Sequence, residues 1–141
     1  MTVISSTDNI IDSRDVAKRL EELEADRDMY LSDIEEAKNL EEENTYINAL
    51  EWFDTEYLDE INELRELMND IMELRGWEYG LTLVHEDYFT KFVIQELKDV
   101  GDLPRDLPWY IEIDEEATAN NLKDEYIPIE FDNTTYYVRE G

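Results

Sequence analysis

Residues 55–74 read TEYLDEINELRELMNDIMEL, and two stripes run through them. One stripe is apolar: Leu58, Ile61, Leu64, Met68 and Ile71. The other is acidic: Glu56, Asp59, Glu63, Glu66, Asp70 and Glu73. Steps of three and four residues hold each stripe to one side of an α-helix. At 100° per residue the carboxylates fall within about a third of the circumference, with neighbours about 5 Å apart along the axis. The apolar stripe lies roughly opposite. Arg65 is the one base in the stretch. Such a helix fixes one face to a core and presents the other as a row of charge.

Upstream, Val16, Leu20, Leu23, Arg27, Tyr30, Ile34 and Ala37 follow in alternating steps of four and three, a heptad-like seam with one long basic residue in it. Asp12 or Ser13 is the N-cap, and the helix is expected to run to about Glu42. Its acids include Glu21, Glu24, Asp28 and Glu35, which join the stripe as candidate contact residues. Two long helices with complementary seams predict an antiparallel hairpin. Tyr46, Ile47, Leu50, Trp52 and Phe53 either cover its open end or belong to a longer second helix. Met1–Ile11 reads as a leader, with Val3 and Ile4 free to pair somewhere.

Gly76 closes the second helix. Leu81–Val84 is a strand or packed loop, and Glu86–Val100 is a helix ended by Gly101. Pro104 and Pro108 mark an irregular connection, and Tyr110–Ile113 alternates like a strand. Asp114 caps a short helix to about Asp124, with Ala117 and Leu122 inward. Ile127–Phe131 and Thr135–Val138 flank Asp132-Asn133 as a hairpin, with Pro128 placing the first strand at an edge. The expected class is therefore α+β: an acidic N-terminal antiparallel helical hairpin over residues 1–76, then a small α+β unit over residues 77–141 with a C-terminal β-hairpin. The two are either separate units or one continuous domain.

The charge is the abnormal quantity. Thirty-nine Asp and Glu face twelve Lys and Arg, for a net −27, against the magnitude of about 2–8 that keeps a small domain soluble. Both halves share it: residues 1–76 carry 23 acids and 7 bases, and residues 77–141 carry 16 and 5. A chain this acidic is repelled by nucleic acid and by anionic membranes, and its partners are basic surfaces or cations. DNA carries one charge per ~1.7 Å of axis, or about 0.6 per Å. A compact chain of this length is roughly 37 Å across, which gives about 0.7 charges per Å. The plainer account of one acidic helix is a solvated face. It weakens when both halves carry a surplus with no basic counterpart in the chain.

Chemistry is sparse. Cysteine is absent, which excludes disulfides and thiolate sites. The single His85 precedes Glu86 and Asp87, without a nucleophile elbow or a second histidine. No EF-hand pattern occurs; Glu112, Asp114 and Glu116, with Lys123 near them, are the best local metal candidates, and loose cation condensation is the better reading. Asn133-Thr134-Thr135 matches a glycosylation acceptor but is more simply a turn. Four glycines build no phosphate-binding loop. No apolar run approaches ~18 residues, and MTVISSTDN lacks the basic and apolar segments of a secretory signal. The expectation is a non-enzymatic protein of the cytoplasm, without cofactor or metal.

Several short motifs carry a family likeness. They are Trp77-Glu78-Tyr79-Gly80 with Leu83-Val84, Asp87-Tyr88-Phe89, Glu96-Leu97 with Gly101, Leu122-Lys123-Asp124-Glu125-Tyr126, Phe131-Asp132 and Tyr136-Tyr137-Val138-Arg139. The opening Ile10–Val16 and Leu20–Leu23 belong with them. Through these, about two thirds of the chain resembles the small acidic antirestriction proteins of the ArdA type, from phages and mobile elements. Asn133-Thr134 stands where a turn glycine is expected, and Met29–Trp52 has no counterpart. The resemblance implies a DNA mimic that evades host defence, classically against type I restriction–modification enzymes, in the host cell cytoplasm. It supplies no catalytic residues, and the acidic stripe is nominated from the residues alone. The expected partner is the basic DNA-binding surface of a host defence protein, with no direct nucleic acid, no membrane, and a homodimer open through the first helix's seam. The alternative is a non-mimic inhibitor or adaptor of a defence complex, such as a CRISPR effector, bound by shape.

Overall fold

The computed structural model describes residues 3–141. Met1 and Thr2, part of the expected leader, lie outside the described residues. The chain is α+β: two long helices, then two shorter helices and a four-stranded antiparallel sheet.

Helix α1 spans Ser13–Glu35, and Asp12 caps it by accepting the Arg14 N–H at 2.8 Å. It ends seven residues before the expected Glu42. The reason is a second cap: the Asn39 side chain accepts from Glu42 N at 2.8 Å and starts helix α2, Leu40–Ile71. Asn39 with Glu42 is the spacing of a capping box. Glu41, Glu42 and Glu43 thus occupy the first turn of α2, where the helix dipole favours negative charge. Tyr46 through Phe53 belong to this longer second helix.

The helices are antiparallel: Arg19 meets Glu60, Arg27 meets Asp54, and Tyr30 packs on Phe53 with ring centroids 5.2 Å apart. Helix α2 buries Phe53, Ile61, Leu64, Leu67, Met68 and Ile71. Leu58 is only half-buried, and Leu67, absent from the expected stripe, is fully buried. Burying each such side chain stabilises by roughly 1.5–3 kcal/mol relative to leaving it exposed. After Ile71 the backbone tightens to i→i+3 bonds, Glu73 N to Asp70 O and Leu74 N to Ile71 O. The helix therefore stops five residues before Gly76, which turns the chain at φ +87°.

Strand β1 is Ile10–Asp12, β2 is Thr82–His85, β3 is Ile127–Phe131 and β4 is Thr134–Val138. Their order is β1-β2-β4-β3. The N-terminal segment thus supplies a strand, but at Ile10–Asp12 rather than Val3–Ile4. Asp132 and Asn133, at φ +48° and +61°, form the hairpin turn, and Pro128 sits on the edge strand as expected. Ser13 locks the halves together: its buried hydroxyl donates to Trp77 O and accepts from Leu81 N, both at 2.8 Å.

Helix α3 is Phe89–Val100, closed by Gly101 at φ +86°, and α4 is Glu115–Leu122, capped by Asp114 accepting from Ala117 N. Alternation sends the two faces of the sheet to different cores. Leu83, Tyr136 and Val138 join Ile61, Leu64 and Ile71 under the helical hairpin. Val84 joins Phe89, Val93 and Ala119 on the other face, with Tyr137 against them. Two expectations fail here. Tyr110–Ile113 forms no strand, because Ile111 N turns back to Pro108 O at 2.9 Å. In α4 the inward residue is Ala119, whereas Ala117 is exposed. No helix among the described residues is long and apolar enough to cross a membrane.

Candidate functional site

Positive charge between two acidic helices eases their packing, and three of the seven arginines, Arg19, Arg27 and Arg65, supply it. Arg19 is buried and grips Glu60 with Nε at 2.7 Å and Nη2 at 3.2 Å; Arg27 grips Asp54 at 2.9 and 3.2 Å. Arg65 leans from α2 to Glu24 of α1 at 2.8 Å. Arg14, Arg75, Arg105 and Arg139 pair with Asp12, Glu140, Asp99 and Glu125. Every arginine is thus committed within the chain, and 32 of the 39 carboxylates are left without one. Lys123 lies instead over the Phe89 and Tyr137 rings, 5.8 and 5.1 Å from their centroids.

The nominated residues are placed as follows. Glu56, Asp59, Glu63, Glu66 and Asp70 line the outer face of α2 and are exposed. Glu73 is exposed too, but sits in the turn beyond the helix end. On α1, Glu21, Asp28 and Glu35 are exposed. Glu24 is half-covered, and Arg65 neutralises it, so it does not belong to the free row. Glu21, Glu24 and Asp28 border a shallow groove floored by Met68, whereas Glu35 ends the helix away from it.

Glu63 differs from its neighbours. Its carboxyl is pushed above the ordinary range, first by partial loss of water and then by Asp132 in the β-hairpin turn, with Asp59 and Glu66 adding to it. Asp132 in turn accepts from the Ser6 hydroxyl at 3.2 Å. The turn therefore extends the acid row from the helix onto the sheet, a juxtaposition between residues far apart in sequence.

The remaining candidates have structural work. His85 Nδ1 accepts from Asp87 N at 3.0 Å, and its ring meets Tyr136 edge-on at 5.3 Å. Asp114 is occupied as the α4 cap, and the loss of the Tyr110–Ile113 strand removes the alternation that aligned it with Glu112 and Glu116. Among the described residues no three His, Asp or Glu converge as a metal site.

Helices α1 and α2 also enclose a cleft that the stripes did not reveal. Its volume is about 370 Å³, and Tyr30, Trp52, Phe53 and Tyr57 line it, with Asp26 and Asp33 beside them. Phe53 and Tyr57 stand 5.0 Å apart, and Trp52 meets Tyr57 edge-on at 6.4 Å. Trp52 and Phe53 come from the run expected either to cover the open end of the hairpin or to belong to a longer second helix, and Tyr57 lies outside that run. No family model, curated protein or solved structure matches the chain.

Proposed function

We propose that the protein is a DNA mimic which occupies the basic DNA-binding cleft of a host restriction–modification enzyme or another defence nuclease, in the cytoplasm of a cell infected by a phage or carrying a mobile element. The observation that carries this reading is an ordered, unneutralised row of carboxylates on the outer face of α2. Helix α2, at 32 residues, is about 48 Å long, longer than the compact-sphere estimate. Helix α2 itself carries eleven acids and one arginine, a net −10 or about 0.2 charges per Å, and the duplex value of about 0.6 is approached only when the whole chain's net −27 is counted over that length. The row itself has one charge per ~5 Å, so the likeness is to charge density rather than to individual phosphates. Binding would release the partner's counter-anions and gain affinity through long-range attraction. A homodimer would lengthen the charged surface, and light scattering decides that point.

The direct test is a gel shift with a type I restriction enzyme and its DNA. Displacement is expected at low salt and falls steeply by physiological salt. No displacement at any stoichiometry at low salt refutes the reading for that enzyme class. Reversing Asp59, Glu66 and Asp70 to Lys, all exposed, should leave the fold intact and weaken inhibition by more than tenfold. Normal inhibition by that variant reduces the row to plain surface.

A second reading has its own observation. Trp109 is 92% exposed beside the exposed Tyr110 and Ile111, a patch suited to a protein-binding inhibitor or adaptor that grips a defence complex by shape. Its affinity would change little with salt and would fall on Trp109→Ala.

A further inference from the structure

We propose that the aromatic cleft between α1 and α2 is a receptor for an arginine side chain of the protein partner. The inference rests on the reading above that the partner presents a basic surface, and it names the anchor that surface would use. The rings of Tyr30, Trp52, Phe53 and Tyr57 give the cleft several π-faces. Trp52 is 57% exposed, so an incoming group can reach it. Asp26 and Asp33 both line the cleft from the same face of α1, two helical turns apart. Neither forms an ion pair among the described residues.

Aromatic faces with carboxylates beside them are the surroundings that a guanidinium prefers. It is planar and weakly hydrated, stacks on rings, and donates two parallel hydrogen bonds to a carboxylate. The chain already uses each half of this arrangement. Arg19 and Arg27 make bidentate pairs in the same helix–helix seam, and Arg139 lies 5.5 Å over the Tyr126 ring. In the cleft both halves come together, and no cation of the described chain fills it. An apolar partner would bury Asp26 and Asp33 without compensation, which disfavours it. A volume of about 370 Å³ has room for a guanidinium side chain, and the unpaired acids beside it attract the rest of a basic surface.

The test uses the full-length protein and N-acetyl-arginine amide, with the neutral citrulline analogue, the lysine analogue and the trimethyllysine analogue as comparisons. The readout is the indole N–H signal of Trp52 in a proton–nitrogen NMR spectrum, assigned with Trp52→Phe. The arginine compound is expected to shift that signal saturably in the millimolar range, and citrulline is not. Asp26→Asn and Asp33→Asn should each weaken binding about fivefold, and Trp52→Ala similarly when followed through the backbone N–H signals of α1 and α2 in the same spectrum. Trp52 is exposed enough for its removal to leave the fold intact, which circular dichroism verifies. Glu78→Gln with Asp106→Asn, both exposed and outside the cleft and the acidic row, should change binding less than twofold.

No saturable shift, or an equal shift by citrulline, overturns the proposal. Tighter binding of the lysine or trimethyllysine compound than of the arginine compound overturns the assignment to arginine. An equal loss in the Glu78/Asp106 control makes the effect one of diffuse charge and overturns the proposal. Because no nuclease is present, the two readings fail separately. Arginine binding without DNA displacement sinks the mimic alone, and displacement without arginine binding sinks the cleft alone.

Discussion

Glu60→Gln should destabilise the protein far more than Arg19→Met, although both remove the same ion pair. The Arg19 side chain is 3% exposed and that of Glu60 is 30% exposed. Arg19 Nη1 has no hydrogen-bond partner, so the guanidinium depends on the two contacts from Glu60. Neutralising Glu60 leaves a buried cation without its counter-charge, which costs about 3–5 kcal/mol when no water can enter. The partial exposure of Glu60 lets some water in, so we expect about 2–3 kcal/mol. At roughly 2–4 °C per kcal/mol for a chain of this size, Tm falls by about 5–10 °C. Arg19→Met keeps the volume, removes the cation, and leaves Glu60 free to rehydrate, for a net change within about 1 kcal/mol of zero. In the Arg19→Met background, Glu60→Gln should be nearly silent, and the double-mutant cycle isolates the coupling. Urea and thermal unfolding followed by circular dichroism at helix wavelengths measure all four corners. If Arg19→Met costs as much as Glu60→Gln, the pair is a net stabiliser and the desolvation reasoning is wrong.

Glu63 has a raised pKa in the fold, so its charged form is disfavoured there; the penalty is present above the folded value and is relieved as pH falls through it toward the ordinary 4.5. Glu63→Gln should therefore raise Tm at pH 7, with a gain that shrinks through that window and vanishes below 4.5; a lower Tm at pH 7, or a gain independent of pH, contradicts this. Added sodium chloride should also raise Tm between about 10 and 300 mM, as the Debye length falls from about 30 Å to below 8 Å. Self-repulsion among the unpaired carboxylates outweighs the few exposed ion pairs that salt also weakens. A Tm that falls with salt would mean that the arginine pairs dominate the balance.

The stripe over residues 55–74 was legible because helix periodicity records which face is buried. Ile61, Leu64, Met68 and Ile71 lie where the spacing put them. The hairpin at Asp132-Asn133 and the caps at Asp12, Gly101 and Asp114 were legible because turn and cap chemistry is local. The break between α1 and α2 carried an equally local signal, Asn39 with Glu42, which the dense acids on both sides obscured. What single-chain periodicity could not supply was pairing at long range. Strand β1 has three residues, too few for an alternation to register, and its existence depends on Val84 and Leu83 opposite. Likewise Glu63 and Asp132 are distant in sequence, and only the docking of the β-hairpin against α2 joins them.

Where the arginines lie bears on whether the acidity is mere solubility. A surface selected only to remain hydrated has no reason to exclude bases from one face, since mixed charges keep a protein soluble with less self-repulsion. Here Arg19, Arg27 and Arg65 each reach across to a carboxylate of the opposite helix. Three of the seven arginines thus lie where two acidic helices must touch. Arg65, the one base between Thr55 and Leu74, turns away from the row to reach Glu24. The pairing that lets the hairpin fold thereby strips the outer face of α2 of compensation. The same α1–α2 seam that consumes Arg19 and Arg27 leaves Asp26 and Asp33 unpaired beside four aromatic rings. Within the helical hairpin the arginines go to the inner contacts and not to the outer row or the cleft, so the proposed basic partner would meet carboxylates there that no arginine of the chain occupies.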